Sequence, residues 1–380
     1  MLKTQIYWIL LLSLLGLASC GDDDNIGFVE KFDLQQFDFP QGDNPWDKEI
    51  EQIAKDWGMY IIYKDVDSTH LNKMWTSPIY YDPIYVCKTP SDEDVQVYLE
   101  LVKTWLLGSL DKNKDSDRKQ LPFYLYLVND LNDGNPRSQT YGKKHIQFKK
   151  DGLDYWSLSF TGEELEAGLT SEIIHNVACS FSYPGLKVRF SSGEYEIPDE
   201  FAVMSDYESR IGIRYYSLEQ FKIDNPWAPD SYYTEDVMVH PNEKDPENAF
   251  QRRGFAPEIG EDFKPVTVVG WSKTYGAPTW MPWIVKIIET PYGSFEDDRN
   301  PGPVAETVKE RVLQDFMNMV RLAMTYPETQ IREDFPLDAE DPLEQAGNQI
   351  INDKYDLVVK YMKDTYNVDL PKYADILDGE

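Results

Sequence analysis

Two titratable side chains stand out in the stretch Leu169-Thr170-Ser171-Glu172-Ile173-Ile174-His175-Asn176. On a helix, positions i and i+4 share a face, so two imidazoles at that spacing could hold one zinc ion. A Glu at i+1 would then polarise a metal-bound water. In such a His-Glu-x-x-His arrangement Glu172 stands in the general-base position and His175 in the second-ligand position. Ser171 stands where the first imidazole belongs, and a neutral hydroxyl is a poor zinc ligand. On this spacing, Ser171→His would place two imidazoles a turn apart and create zinc affinity. The chain has only three other histidines to draw on, His70, His145 and His240. Cys179 follows His175 at i+4, so a Cys–His pair can be drawn. Without an activating environment, however, it reads as a small buried residue. Glu172 and His175 could equally be helix residues satisfied by neighbouring backbone or tyrosine hydroxyls.

The elements that would position these residues follow from periodicity and punctuation. Asn44-Pro45 opens a helix with Trp46, Ile50, Ile53 and Trp57 at helical spacing, and Gly58 closes it. Met59 to Tyr63 reads as a strand. Ser91-Asp92-Glu93-Asp94 starts a helix that buries Val95, Tyr98, Val102 and Trp105. Leu121 to Val128 and His145 to Phe148 read as strands. Thr161-Gly162-Glu163-Glu164 fits a capping box, and the helix it starts is expected to run to about Ser180. Residues 183–277 are rich in Pro, Gly, Tyr and Asp and read as a loop-rich insertion, with short strands expected at Val188 to Phe190 and Val266 to Val269. Helices are expected at Trp280 to Ile288, Pro303 to Met324 and Asn348 to Tyr366. The class is α+β, with a helix-rich C-terminal half. The organisation is a leader over 1–19, an acidic tether over 20–43, an N-terminal part over 44–182, the insertion, and a helical part over 278–380.

The leader is a second source of chemistry. Lys3 precedes the apolar run Ile6 to Leu17, too short for a stable transmembrane helix. Leu17-Ala18-Ser19-Cys20 resembles a bacterial lipobox, whose cysteine becomes the lipidated first residue. Gly21-Asp22-Asp23-Asp24 resembles the acidic tag for surface export in lipoproteins of the Bacteroidota type. The expected location is therefore the outer membrane, lipid-anchored through Cys20 and exposed at the cell surface. Cys87 and Cys179 remain as thiols that pair only if the fold brings them together.

Asn44-Pro45-Trp46, Met59-Tyr60-Ile61-Ile62-Tyr63, the Pro-led strand Pro122 to Val128, the degenerate motif at 171–175 and the final Tyr366-Asn367-Val368-Asp369-Leu370 together resemble a family. It is the candidate zinc-binding metallopeptidase lipoproteins of gut Bacteroidota. The resemblance implies a zincin-like metallopeptidase fold: a small sheet, a motif-bearing helix and a helical C-terminal half. It also implies a third, acidic ligand beyond the motif. Pro198-Asp199-Glu200-Phe201-Ala202 matches in letters and would make Asp199 that ligand. Pro278 to Trp283 matches in position and contains no acid.

Lys+Arg 37 against Asp+Glu 67 gives a net charge of −30 over 380 residues. That charge disfavours nucleic acid or anionic lipid as an electrostatic partner. There is no phosphate-binding glycine loop and no Gly-x-Ser-x-Gly elbow. The chain thus reads as a surface lipoprotein with a metallopeptidase-like fold, catalytically inactive, needing no cofactor and binding peptide, glycan or a partner protein. The first alternative is a zinc peptidase with an atypical ligand set: His175 and Asp199 on the metal, Glu172 activating water. The second is a structural accessory of an outer-membrane nutrient-uptake complex. Trp227, Tyr232, Tyr233, Trp271, Tyr275, Trp280 and Trp283 could form an aromatic platform or belong to the core.

Overall fold

The computed structural model describes residues 37–73, 81–142, 145–208, 211–213, 226, 250–266, 278, 280, 284–290, 293–297 and 307–379. Cys20, the leader, most of the tether, His240 and every aromatic named above for the platform except Trp280 lie outside them.

Helix α1 (Pro45–Trp57) begins with Pro at its first position and ends at Gly58, whose φ of 73° is the left-handed conformation a C-cap needs. It leads into β1 (Tyr60–Ile62). Two short elements, α2 (Ser68–Leu71) and β2 (Tyr85–Lys88), precede α3 (Asp92–Leu101), which starts in a capping box at Ser91. Helix α3 continues as a π turn (Val102–Leu106) and a 3-10 turn (Leu107–Ser109). After α4 (Asp115–Arg118) come the central strand β3 (Tyr124–Asp133), β4 (Phe148–Lys149) and β5 (Tyr155–Phe160). Strands β1 and β5 flank β3 in parallel; β2 and β4 add antiparallel pairs to β3 and β5. Alternation along β3 sends Leu125 and Leu127 to one face and Tyr124, Tyr126 and Val128 to the other, and both faces are buried. The Tyr98 hydroxyl ties α3 to the sheet, donating to the Val128 carbonyl at 2.6 Å and accepting from Phe160 N–H at 2.8 Å.

The helix expected from Thr161 is two helices, α5 (Gly162–Ala167) and α6 (Ser171–Ser192). Gly168, at φ 87°, breaks the run, and the Thr170 hydroxyl caps the restart by accepting from Ile173 N–H. Helix α6 then passes through Pro184 to Ser192, so Val188 to Phe190 is helix and not strand, and the loop-rich region starts after it. A proline inside a helix removes the hydrogen bond to the carbonyl four residues back. Here that carbonyl belongs to Ser180, and Lys150 Nζ donates to it instead. Helix α6 joins two cores: Val177 and Phe181 pack toward the sheet, while Ala178, Cys179, Leu186 and Phe190 pack toward the C-terminal helices.

Beyond α6 lie α7 (Asp199–Ala202) and a second sheet in which β6 (Ile211–Ile213) runs parallel to β7 (Ile284–Thr290), itself antiparallel to β8 (Gly293–Asp297). The expected helix from Trp280 to Ile288 is therefore corrected to a strand over its second half. Ile284, Val285, Ile287 and Ile288 are β-branched and favour a pleated backbone. Of the strand expected at Val266 to Val269, Val266 is not in a strand and the rest lies outside the described residues. Helix α8 (Val308–Thr325), α9 (Glu328–Asp334), α10 (Pro342–Tyr366) and α11 (Pro371–Ala374) form the helical half. Helices α8 and α10 are pinned by a fully buried pair, Lys354 to Asp315 at 2.6 Å. Lys354 also donates to the Gly254 carbonyl at 2.8 Å, and the Tyr207 hydroxyl donates to Asp315 at 2.6 Å. The class is α+β, as the sequence predicts. No helix among the described residues is long and apolar enough to cross a membrane.

Candidate functional site

The motif lies at the very start of α6, with Ser171 as its first helical residue. Glu172 and His175 point into different surroundings. The Glu172 side chain is 70% exposed and reaches toward Lys264 at 3.7 Å. His175 is 3% exposed. Its Nε2 lies 2.8 Å from the Met324 carbonyl and 3.4 Å from Cys179 Sγ, and its ring stands perpendicular to Phe263 at 6.1 Å.

Why that carbonyl needs a partner is plain from the chain. Helix α8 ends at Thr325 and Pro327 follows shortly after, so the Met324 carbonyl is one of the orphans every helix C-terminus leaves. His175 satisfies it across the α6–α8 contact. A carbonyl only accepts, so Nε2 carries the proton and Nδ1 alone keeps a lone pair. Burial holds the imidazole below its ordinary pKa, partly offset by the hydrogen bond to Met324. Burial likewise raises both thiols, Cys87 to about 11 and Cys179 further, and both cysteines are free.

Asp199 is an exposed residue at the first position of α7. Two positions on, Phe201 packs against Phe316, as does Phe190 from α6. Phe190 is fifteen residues past His175, roughly 22 Å along a helix. The fold therefore sets Asp199 at the end of α6 opposite to His175. His70 Nδ1 accepts from Asp67 N–H at 3.2 Å, and His145 Nε2 lies 3.3 Å from a Glu164 carboxylate oxygen. Among the described residues, no three His, Cys, Asp or Glu side chains are grouped so as to hold a metal ion. A zinc centre needs three protein ligands on one point. Here one imidazole nitrogen is committed to a carbonyl, the neighbouring carboxylate faces solvent, and Ser171 offers a hydroxyl. These residues do not fit a zinc ion. Trp280 is 1% exposed and packs on Phe255 at 6.2 Å, so it belongs to the core.

A polar cleft of about 470 Å³ lies where the α3–α4 connection, α6 and the segment joining α10 to α11 meet. At its base Arg189 is 8% exposed and donates to Asp117 and to the Tyr195 hydroxyl. Around it stand Lys114, Gln120, Lys363, Asn367 and Lys372. Lys363 pairs with Asp369 at 2.5 Å. The Lys372 amine lies over the rings of Trp105 and Tyr373, at 5.4 and 5.0 Å, and burial lowers its pKa. Its residues come from distant parts of the chain with no spacing motif, so only the fold assembles them.

No protein-family model matches this chain. No curated protein matches it. Among solved structures, it is similar to a candidate zinc-binding metallo-peptidase from Bacteroides caccae. That likeness has 14% sequence identity and a TM-score of 0.38, over 89% of this chain and 93% of the other.

Proposed function

We propose that this protein is a lipid-anchored, cell-surface binding protein in which Glu172 and His175 serve structure and not hydrolysis. The observation that carries this reading is the commitment of His175 to the Met324 carbonyl, 3% exposed, while Glu172 faces solvent. A general base and a metal ligand must converge on one reacting point; these two diverge. The anchor rests on the lipobox-like Leu17-Ala18-Ser19-Cys20 and the surface location on Gly21-Asp22-Asp23-Asp24.

The binding surface is the polar cleft around Arg189. Its lining offers amines, carboxylates, amides and hydroxyls around a buried ion pair, and among the described residues no strand contributes to it. An extended peptide is usually held by pairing with a strand edge or by deep apolar pockets. A hydroxyl-rich ligand needs many convergent donors and acceptors instead, so a glycan, neutral or acidic, is the ligand class. The test is a glycan array on the soluble chain starting after Cys20, followed by calorimetry of the best binder. Asn367→Ala and Lys372→Ala should each weaken binding about tenfold, as loss of one ligand hydrogen bond predicts. No binder on the array, or a binder indifferent to both substitutions, would sink the reading.

A further inference from the structure

Lys150 is placed unlike an ordinary surface lysine. It follows the short edge strand β4, and its amine sits over two rings, 4.6 Å from the centre of Phe148 and 4.9 Å from that of Trp156. It donates to the Ser180 carbonyl that Pro184 leaves without a helical partner. No carboxylate pairs with it among the described residues. Its neighbour Lys149 takes Asp151, and Glu261, the one acid lining the adjoining cavity, is engaged by Lys187. That cavity, about 250 Å³, is walled by Phe148, Tyr183, Pro184 and Phe263, and Lys150 lines it while keeping partial exposure.

An amine held this way is desolvated without a counter-charge, which disfavours its ammonium form. The two rings attract a cation, but the carbonyl bond is open to neutral and charged amine alike. Burial brings the Lys150 pKa down to about 7. Its free lone pair can then act near neutral pH, which ordinary lysines cannot do.

We propose that Lys150 is a nucleophilic site that takes a small aldehyde into the aromatic cavity as an imine. The amine lone pair attacks the carbonyl carbon and the C=O π pair moves to oxygen. A proton passes from nitrogen to that oxygen, and loss of water from the carbinolamine leaves C=N. No redox partner is needed. The bond is reversible and hydrolyses with one water. The site is independent of the glycan cleft, so its failure would leave that reading intact.

The experiment is competitive labelling of the intact protein with limiting benzaldehyde. Sodium cyanoborohydride supplies the hydride that fixes each imine as a secondary amine, and peptide mass spectrometry gives the rate at each lysine. At pH 7, Lys150 should be labelled at least about tenfold faster than exposed Lys55. Pro184→Ala returns an N–H to the Ser180 carbonyl, releases the amine to solvent and should bring the Lys150 rate toward that of Lys55. A Lys150 rate at pH 7 equal to or below that of Lys55 in the wild type overturns the proposal.

Discussion

At the scale of single residues, helix ends and helix breaks decide where the reactive side chains go. His175 serves the carbonyl that the end of α8 leaves unpaired, and Lys150 serves the one that Pro184 frees. Because the folded protein holds His175 neutral, with its pKa below the ordinary value of about 6.5, the unfolded chain binds the extra proton first as pH falls. This group's contribution is therefore fully present above about pH 6.5 and is lost as pH drops from there toward the folded-state pKa. His175→Gln keeps an N–H donor and removes the titration. Its melting temperature should fall less than that of the wild type between pH 7.5 and pH 5, and an identical fall in both would refute the burial of a neutral imidazole. The Lys354–Asp315 pair gives a larger effect. Lys354→Ala leaves a buried carboxylate without its cation and should cost about 3–5 kcal/mol in urea unfolding. A loss under about 1 kcal/mol would mean that water reaches the pair.

At the scale of elements, α10 and the 3-10 turn Gln251–Arg253 approach each other closely at Gly347. A Cβ on Gly347 would come within 2.0 Å of the Gln251 carbonyl oxygen. Gly347→Ala should therefore destabilise by about 1–3 kcal/mol despite alanine's better helix propensity. A gain in stability would show that the turn yields easily. The sequence was legible where local chemistry dominates. Pro45 and Gly58 bracket α1, the Ser91 and Thr161 capping boxes open their helices, and the alternation in β3 marks the sheet. It misled where a distant residue decides. Nothing local shows that Lys150 makes Pro184 tolerable, so α6 reads as ending near Ser180 when it reaches Ser192. The apolar run through Ile284 to Ile288 suits either structure by length, and β6 and β8 select the strand. The candidate site was legible as residue types and not as geometry: Glu172 and His175 share a helix, but the core takes one and solvent the other.

At the scale of the whole molecule, the proposed anchor rests on the lipobox-like cysteine Cys20. Cys20→Ala should shift the protein out of the membrane fraction or leave the precursor unprocessed, since stable anchoring takes more than one acyl chain and a lipidated N-terminal cysteine supplies them. Retention and processing like the wild type would remove the anchor. The same view of α6 bears on Ser171→His. The spacing alone predicts new zinc affinity, but with His175 facing α8 and Asp199 at the opposite end of the helix, the folded variant should bind zinc no better than the wild type. The central claim, that this site is built for structure and not for metal chemistry, is tested most directly by zinc content. Purified protein, loaded with zinc at pH 7.5 and dialysed mildly, should carry well under one equivalent by elemental analysis; one equivalent of zinc that resists a chelator would contradict it.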